Sequence, residues 1–374
     1  MHIALLIYGN LETVSGGYLY DRKLVEHLRS QGDQVEIISI PWRSYPLLLA
    51  DNFSASLFHH LQNLQIDILL QDELNHPSLF LLNQRLRKET KIPLVSIVHH
   101  LRSSEQRSAW QNILYKVIEK RYLDSVDALI FNSLATQKAV LECNASLKDK
   151  PSLLAFPAGD RFKPAWDLLD TQKRADQPGP LKIVFIGNLI PRKGLDTLLK
   201  ALKTLPAHLW ELNVIGSLEE VDPFYAQKMQ KLVSKLDMNE RVKFLGTVPD
   251  TLIAQTLSNS HLLAVPSSYE GFGIVYLEGM SFGLPAIGAK AGGAQEIIRH
   301  GYNGFLVEPG DTESFSAHIS NLAVDRQKLL EMSLAARRSF ESHPDWEMTG
   351  AQIRNFLLTI NENRNAEFKP VKTN

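Results

Sequence analysis

A glycine-containing turn followed by an apolar segment lies in the second half of the sequence, within YEGFGIVYLEGM (269–280). The segment after the turn has the composition of a helix. The first amides of a helix have no intrahelical acceptor, and the helix dipole is positive at that end. We therefore expect an anion to bind at the backbone of these residues: Gly271, Phe272, Gly273 and Ile274.

Two glutamates bracket the same stretch. Glu278 lies one turn into the expected helix, where its carboxylate can accept from the two hydroxyls of a ribose whose phosphates sit at the helix N-terminus. Glu270 precedes the helix, where a substrate hydroxyl can reach it. Acidic residues are also common near helix starts simply because they complement the dipole. The glutamate pair alone leaves both interpretations open.

Two adjacent cations occupy a second turn, within FIGNLIPRKGLDTLLKAL (185–202). Arg192 and Lys193 stand between a strand and a helix, and such a pair suits a diphosphate. Arginine offers a fork of donors, and lysine offers a point charge. The alternative is a solvated basic pair on a surface loop.

Composition narrows the class of protein. The chain has 374 residues, 44% of them hydrophobic and 22% charged, and a net charge of -1. This is ordinary for a folded protein, suggests more than one domain, and excludes a global basic field for nucleic acid. Cys143 is the only cysteine, so no intramolecular disulfide forms. The opening run MHIALLIYGN predicts a buried strand, and no apolar stretch is long enough to cross a bilayer.

Strands and helices alternate along the chain, which favours parallel doubly wound sheets. A polar, proline-containing connector follows at 171–180, and a second strand–turn–helix series begins after it. We therefore expect an N-terminal domain at 1–165, a C-terminal domain at 166–344, and a terminal helix at about 345–362 that packs back on the first. Strands are predicted at 3–8, 35–40, 68–71, 94–99, 128–131, 181–188, 211–215, 242–245, 262–265 and 285–288.

Several motifs in register carry a family resemblance. FIGNLIPRKG is followed by YEGFGIVYLEGM, SFGLPAIGAKAGGAQEII and NGFLVEPGD (303–311). In order and spacing this series resembles the family 4 retaining glycosyltransferases of the GT-B fold. The match is specific over 181–311 and weaker in the first half. The resemblance implies an α/β protein with two Rossmann-like doubly wound domains that face each other across a deep cleft.

The resemblance also implies roles for residues of the C-terminal domain. Arg192 and Lys193 would bind the donor diphosphate, Glu278 the ribose, and Glu270 the transferred sugar. The 271–274 backbone would bind the phosphates or the sugar. Gly187 and Asn188 belong to the donor-binding turn, although many relatives carry arginine where this chain has Asn188.

In the N-terminal domain, Gly16 and Gly17 match the paired glycines of the loop that approaches the donor phosphates. Glycine permits close backbone approach there, and a flexible loop without a ligand is the alternative. His99 aligns with the family's active-site histidine, and the adjacent His100 stays a candidate. Ala158 stands where relatives have asparagine.

The implied activity is transfer of a sugar, with retention, from a UDP- or GDP-type nucleotide sugar to a glycan, lipid or small-molecule acceptor. We expect no metal and no other cofactor, because protein donors can meet the charge of the departing diphosphate. A GT-B epimerase or sugar phosphorylase is the nearest enzymatic alternative. A non-catalytic nucleotide-sugar-binding protein is the alternative from another class, and a nicotinamide enzyme fits less well because the third fingerprint glycine is missing.

We expect a cytoplasmic protein, with a peripheral contact at the inner face of the membrane left open. A helix predicted over 107–124 combines basic with apolar residues and is able to rest on anionic lipid. Packing of its apolar face against the core is the favoured alternative. The basic residues are Arg107, Lys116, Lys120 and Arg121, and the apolar ones are Trp110, Ile113, Leu114, Val117 and Ile118.

Overall fold

The computed structural model describes residues 1–105, 108–165, 167–219 and 222–367. The chain divides into two compact units, each with its own sheet. The N-terminal unit is Met1–Pro157 with the chain from Trp346 onward, and the C-terminal unit is Ala158–Asp345.

Six parallel strands form the sheet of the N-terminal unit. They are β1 (His2–Tyr8), β2 (Gln34–Ile40), β3 (Ile68–Asp72), β4 (Leu94–Val98), β5 (Ala128–Phe131) and β6 (Ser152–Leu154). Their order is β2-β1-β3-β4-β5-β6, so the direction of winding reverses between β1 and β3. The run from Ile3 to Tyr8 is wholly buried, as expected of an interior strand covered on both faces.

The helices of this unit cover its sheet. They are α1 (Gly16–Ser30), α2 (Tyr45–Ala50), α3 (Ala55–Gln62), α4 (His76–Glu89), α5 (Ala109–Ser125), α6 (Leu134–Cys143) and, from the end of the chain, α15 (Trp346–Glu367). Helix α15 returns to α1 and its surroundings: Arg354 Nε lies 2.7 Å from Asp33 Oδ2, and Thr349 Oγ1 donates to Phe156 O at 2.8 Å.

The C-terminal unit repeats the plan. Its strands are β7 (Leu181–Ile186), β8 (Trp210–Ile215), β9 (Val242–Gly246), β10 (Leu262–Val265), β11 (Ala286–Ala289) and β12 (Gly304–Val307), in the order β12-β11-β10-β7-β8-β9. Its helices are α7 (Leu168–Asp176), α8 (Leu195–Lys203), α9 (Pro223–Lys235), α10 (Asp250–Asn259), α11 (Ile274–Ser281), α12 (Ala294–Ile297), α13 (Thr312–Val324) and α14 (Arg326–Glu341). Winding reverses between β7 and β10, which makes the carboxyl ends of these two strands the expected ligand site.

All ten predicted strands are present, and the predicted α/β class with two doubly wound sheets is confirmed. The strands β6 and β12 were not predicted: β6 has only three residues and none of them is buried, and β12 begins with glycine, a residue depleted in strands. No helix within the described ranges is long and apolar enough to cross a membrane.

Helix α5 departs from the favoured expectation that its apolar residues face the core. Ile118 is buried, but Trp110 is 66% exposed, Ile113 65%, Leu114 41% and Val117 45%. The inner face is already occupied by other apolar residues, Tyr115, Tyr122 and Leu123 among them. The helix is therefore apolar on two faces, and the sheet covers only one. Arg107, predicted to share this helix, lies outside the described residues.

Candidate active site

The carboxyl ends of β7 and β10 meet at the reversal point of the C-terminal sheet. After β7 the chain makes a short turn through Gly187 and the 3₁₀ segment Pro191–Lys193, and Gly194 follows with φ of 70°. A Cβ at Gly194 would lie 2.2 Å from Pro266 O, just after β10. Glycine is therefore required for the two loops to approach this closely.

Lys193 and Glu270 form the centre of this site. Lys193 Nζ donates to Glu270 Oε1 at 2.6 Å, and Ser267 Oγ donates to the same oxygen. Arg192 Nη1 lies 3.8 Å from Glu270 Oε2 and donates to Tyr269 O at 2.7 Å. The two cations and the carboxylate, which the sequence assigned separately to phosphate and to sugar, thus share one site.

The opposite charges of this cluster stabilise each other although both members of the pair are buried. Burial alone would raise the pKa of Glu270, but Lys193, Arg192 and the hydrogen bonds hold it below the ordinary value. Burial lowers the pKa of Lys193, and the attraction of Glu270 offsets part of that effect. A carboxylate held in this way accepts hydrogen bonds from hydroxyls, and the cations beside it attract an anion.

The N-terminus of α11 adjoins the cluster. Gly273 caps the helix with φ of 100°, and within the described chain no side chain accepts from this end. Gly292 and Gly293 hold the preceding loop: Gly293 N donates to Glu270 O at 2.8 Å, and a Cβ at Gly292 would meet Glu270 O at 1.9 Å. The helix start is therefore fixed beside Lys193 with backbone amides as its donors.

Glu278 lies on α11, buried, with Arg161 as its charged neighbour. Arg161 Nη1 lies 3.6 Å from Glu278 Oε1, while Arg161 Nε donates to Asp250 Oδ2 at 3.1 Å. Burial raises the pKa of Glu278, and Arg161 partly offsets that effect. Glu278 Oε1 accepts no hydrogen bond from the described residues, which leaves that oxygen available for a hydroxyl.

A second group of candidate residues lies in the N-terminal unit, at the carboxyl ends of β1, β3 and β4. Gly16 and Gly17 begin α1, and His99 directly follows β4. A Cβ on Gly17 would lie 3.2 Å from His99 Cδ2, so the predicted glycine and histidine are neighbours. Asp21, one turn further along α1, places Oδ1 3.2 Å from His99 Nε2.

The surroundings of His99 are acidic and buried. Burial disfavours the imidazolium, but Asp21, with Asp72 and Glu73 at the end of β3, outweighs it and raises the pKa of His99 to about 9. Burial raises the pKa of Asp72 to about 7 and that of Glu73 to about 8. Asp21, Asp72 and His99 each bring a metal-ligand atom within 4.8 Å of the others. An ion pair to a charged imidazolium accounts for the same arrangement.

The structure thus brings Arg192, Lys193, Glu270 and the α11 start together in one unit, and Gly17 with His99 in the other. Gly187 lines the Lys193 stem, since a Cβ there would lie 3.5 Å from Lys193 Cε. Asn188 is in the same turn and partly exposed, and His100 contacts Glu105 at 3.1 Å.

Sequence reasoning missed the residues that support these groups. They are Ser267, Gly292 and Gly293 around Glu270, Arg161 and Asp250 around Glu278, and Asp21, Asp72 and Glu73 around His99. The glycine pair lies inside a quoted motif, Ser267 lies two residues before another, and Arg161 lies in the segment FPAGDRF. Asp250 and Asp72 had no local signal.

The match to a known family model lies within the C-terminal unit. Residues 169–339 match the family model described as Glycosyl transferases group 1. The chain is 25% identical to the D-inositol 3-phosphate glycosyltransferase of Nocardia farcinica over 67% of its length and 58% of that protein. It is 29% identical to a GDP-mannose-dependent monoacylated alpha-(1-6)-phosphatidylinositol monomannoside mannosyltransferase of Corynebacterium glutamicum, over 62% of each. The matches therefore span about three fifths of these relatives.

Solved structures extend the likeness over the whole fold. Sucrose-phosphate synthase from Thermosynechococcus elongatus superposes with a TM-score of 0.81 at 21% identity, covering 97% of this chain and 99% of that one. Anabaena HepE in complex with UDP and glucose gives a TM-score of 0.76 at 22% identity, covering 96% and 100%. These structures define the class: the protein has the GT-B glycosyltransferase fold. Residues 169–339 match the model of the glycosyl transferases group 1, in agreement with the glycosyltransferase group recognised from the sequence.

Proposed function

We propose that the protein is a family 4 retaining glycosyltransferase that moves a sugar from a UDP- or GDP-type nucleotide sugar to an acceptor hydroxyl without a metal ion. The contact of Lys193 and Arg192 with Glu270, at the reversal point of the C-terminal sheet, carries this proposal. A nucleotide sugar joins an anionic diphosphate to a polyhydroxylated ring. Cations, helix amides and an ionised carboxylate within one site match both parts.

The chemistry assigns a role to each group. The bond between the anomeric carbon and the diphosphate oxygen breaks, and its electron pair goes to that oxygen. Lys193, Arg192 and the α11 amides stabilise the charge that develops there, as preorganised donors do in oxyanion sites. The acceptor oxygen bonds to the anomeric carbon from the face that the diphosphate leaves, and its proton passes to the departing phosphate. Glu270 holds sugar hydroxyls, and Glu278 holds the ribose.

The N-terminal unit supplies the acceptor side in this proposal. Gly16 and Gly17 present the start of α1 to the donor phosphates. His99 lies near the transferred sugar as an imidazolium, a state favoured by Asp21 and the acidic groups beside it. A charged imidazolium donates hydrogen bonds, so His99 can bind an oxygen of the sugar.

The relatives support the substrate classes. One is named as GDP-mannose-dependent and as acting on a phosphatidylinositol mannoside, another as acting on D-inositol 3-phosphate, and HepE is described with UDP and glucose. We extend from these names that the acceptor is a lipid, a glycan or a small polyol. We also propose a cytoplasmic protein in peripheral contact with a membrane.

Donor identification tests the proposal directly. UDP, GDP and their sugar conjugates are screened for protection against thermal unfolding, because a ligand that binds the native state raises its apparent stability. Products from the protective donor are then analysed with and without a polyol or lipid acceptor. Acceptor-dependent release of the nucleoside diphosphate supports the transferase. Conversion without acceptor indicates an epimerase, a phosphate requirement indicates a phosphorylase, and protection without turnover indicates a binding protein.

A further inference from the structure

An exposed apolar stripe runs along the outer face of α5. Trp110, Ile113, Leu114 and Val117 follow the spacing i, i+3, i+4 and i+7, which places them on one side of two helical turns. Each is more than two fifths exposed. Four large apolar side chains in a row on one helix face form a contiguous surface, unlike scattered exposed residues, and such surfaces mark binding sites.

The stripe cannot turn inward, because the opposite face of α5 is fixed. Tyr122 Oη donates to Ser96 Oγ at 2.9 Å inside the unit, and Ser103 N donates to Glu119 Oε1 at 3.1 Å. The Tyr115 ring packs on Tyr45 at 4.6 Å between centroids. Rolling the helix would bury the stripe only by exposing these groups. Its exposure is therefore a property of the folded unit.

Cations flank the stripe. Lys116, Lys120 and Arg121 are exposed on the same helix, with Arg121 continuing the line of the apolar side chains and the lysines beside it. Of the acidic residues on α5, Glu119 is buried, and Asp124, near the end of the helix, is exposed and accepts from Asn144 Nδ2 at 2.6 Å. Apolar side chains lie at the centre of this face and long basic side chains lie at its edge. Such a face matches a partner that is apolar in its interior and anionic at its boundary.

We infer that this face of α5, defined by Trp110, Ile113, Leu114, Val117, Lys116, Lys120 and Arg121, docks on the surface of an anionic phospholipid bilayer. The apolar stripe inserts at the boundary of headgroups and acyl chains, where tryptophan is well accommodated. The cations contact lipid phosphates. This inference assigns the surface for the peripheral contact included in the proposed function, and it is tested without donor or acceptor.

Vesicle co-sedimentation tests the inference. The whole chain is mixed with phosphatidylcholine vesicles, with or without about 30 mol% phosphatidylglycerol, a headgroup that attracts basic side chains. We expect binding to the anionic vesicles, release by high salt, and a blue shift of tryptophan fluorescence that is absent in Trp110→Phe. Each of Lys116→Gln, Lys120→Gln and Arg121→Gln should weaken binding by about fivefold. The triple variant Trp110→Gln/Ile113→Gln/Val117→Gln should weaken it by at least tenfold, or about 1.4 kcal/mol.

A matched control is available on α9 of the other unit. Phe224, 86% exposed, lies on that helix with the exposed Lys228 and Lys231. Phe224→Gln/Lys228→Gln/Lys231→Gln removes similar groups and should leave vesicle binding unchanged. Unaltered thermal unfolding of each variant shows that the fold is intact.

Two outcomes would overturn the inference. One is wild-type protein that sediments no more with anionic vesicles than with phosphatidylcholine alone. The other is equal loss of binding in the α5 and α9 variants. If the wild type is a dimer that the α5 triple variant converts to a monomer, and vesicles are not bound, then the stripe joins two copies of the chain.

Discussion

Replacing Lys193 with alanine separates two roles that the structure gives to this side chain. Lys193 is the closest cation to the buried carboxylate of Glu270, at 2.6 Å, and it faces the site proposed for the donor diphosphate. The substitution therefore changes both the stability of the C-terminal unit and the affinity for the nucleotide. The two effects are measured independently.

The loss of stability follows from leaving a buried carboxylate with fewer partners. Breaking a buried ion pair on one side costs about 3–5 kcal/mol. Arg192 and Ser267 remain in contact with Glu270, so we expect the lower end, about 3 kcal/mol. At about 2–4 °C per kcal/mol for a domain of this size, Tm falls by about 6–12 °C. Lys200→Ala, which removes an exposed lysine 2.8 Å from Asp196, is the matched control and should cost less than about 1 kcal/mol.

The loss of affinity follows from one charge-assisted hydrogen bond to phosphate. Such a bond contributes about 1.5–3 kcal/mol, so affinity for the nucleoside diphosphate should fall by about 10- to 150-fold. Turnover should fall by at least about tenfold, since the same donor stabilises the departing charge. Titration calorimetry with the nucleoside diphosphate that protects the wild type measures the first quantity.

The double variant Lys193→Ala/Glu270→Gln decides between the roles. Neutralising Glu270 removes the unpaired charge, so Tm should return toward the wild-type value while affinity for the diphosphate stays low. If the double variant regains affinity as well as stability, Lys193 acts only by neutralising Glu270, and the proposed phosphate contact is wrong.

Four further predictions follow from the two groups of residues. Gly17→Ala places a Cβ 3.2 Å from the His99 ring, so we expect turnover to fall several-fold with Tm unchanged or raised; unchanged turnover would show that His99 tolerates displacement. Glu73→Gln should gain stability over the wild type as pH rises from 4.5 to about 8, because the folded pKa lies above the unfolded one and the wild type loses stability across that window; a pH-independent difference in Tm would contradict this. Arg161→Ala should raise the pKa of Glu278 further, so KM for the donor should rise more steeply with falling pH than in the wild type while kcat changes little, and Arg161→Lys should restore part of the affinity. Treatment with a chelator should leave turnover largely intact, and a strict dependence on added divalent ion would refute the metal-independent reaction.

Local sequence patterns were sufficient for the strands and for the donor-side motifs. Buried parallel strands are continuous apolar runs, and the run from Ile3 to Tyr8 needs no distant partner to be recognised. Glycines at fixed positions indicate tight turns, and Gly194 and Gly273 both have a positive φ in such turns. The charged residues next to those turns, Lys193 and Glu270, were therefore identifiable from spacing and resemblance alone.

Tertiary structure alone decided which charges meet. Lys193 and Glu270 are 77 residues apart, and Asp21 and His99 are 78 residues apart. Sequence spacing carries no information about such contacts, because they depend on which strands end side by side at the reversal point of a sheet. The pairing of Lys193 with Glu270 and the charge on His99 could not have been read from either motif.

The exposed face of α5 shows that packing, like the charge pairs, could not be predicted from the sequence. A helix with apolar residues on both sides has no periodicity that says which side is covered, so the sequence favoured the wrong one for Trp110 and Val117. The sequence by itself determined the class of fold and the candidate binding and catalytic residues at the strand ends. Only the folded chain decided which of them are partners and which apolar surface stays in contact with solvent, since both depend on contacts between segments far apart in the chain.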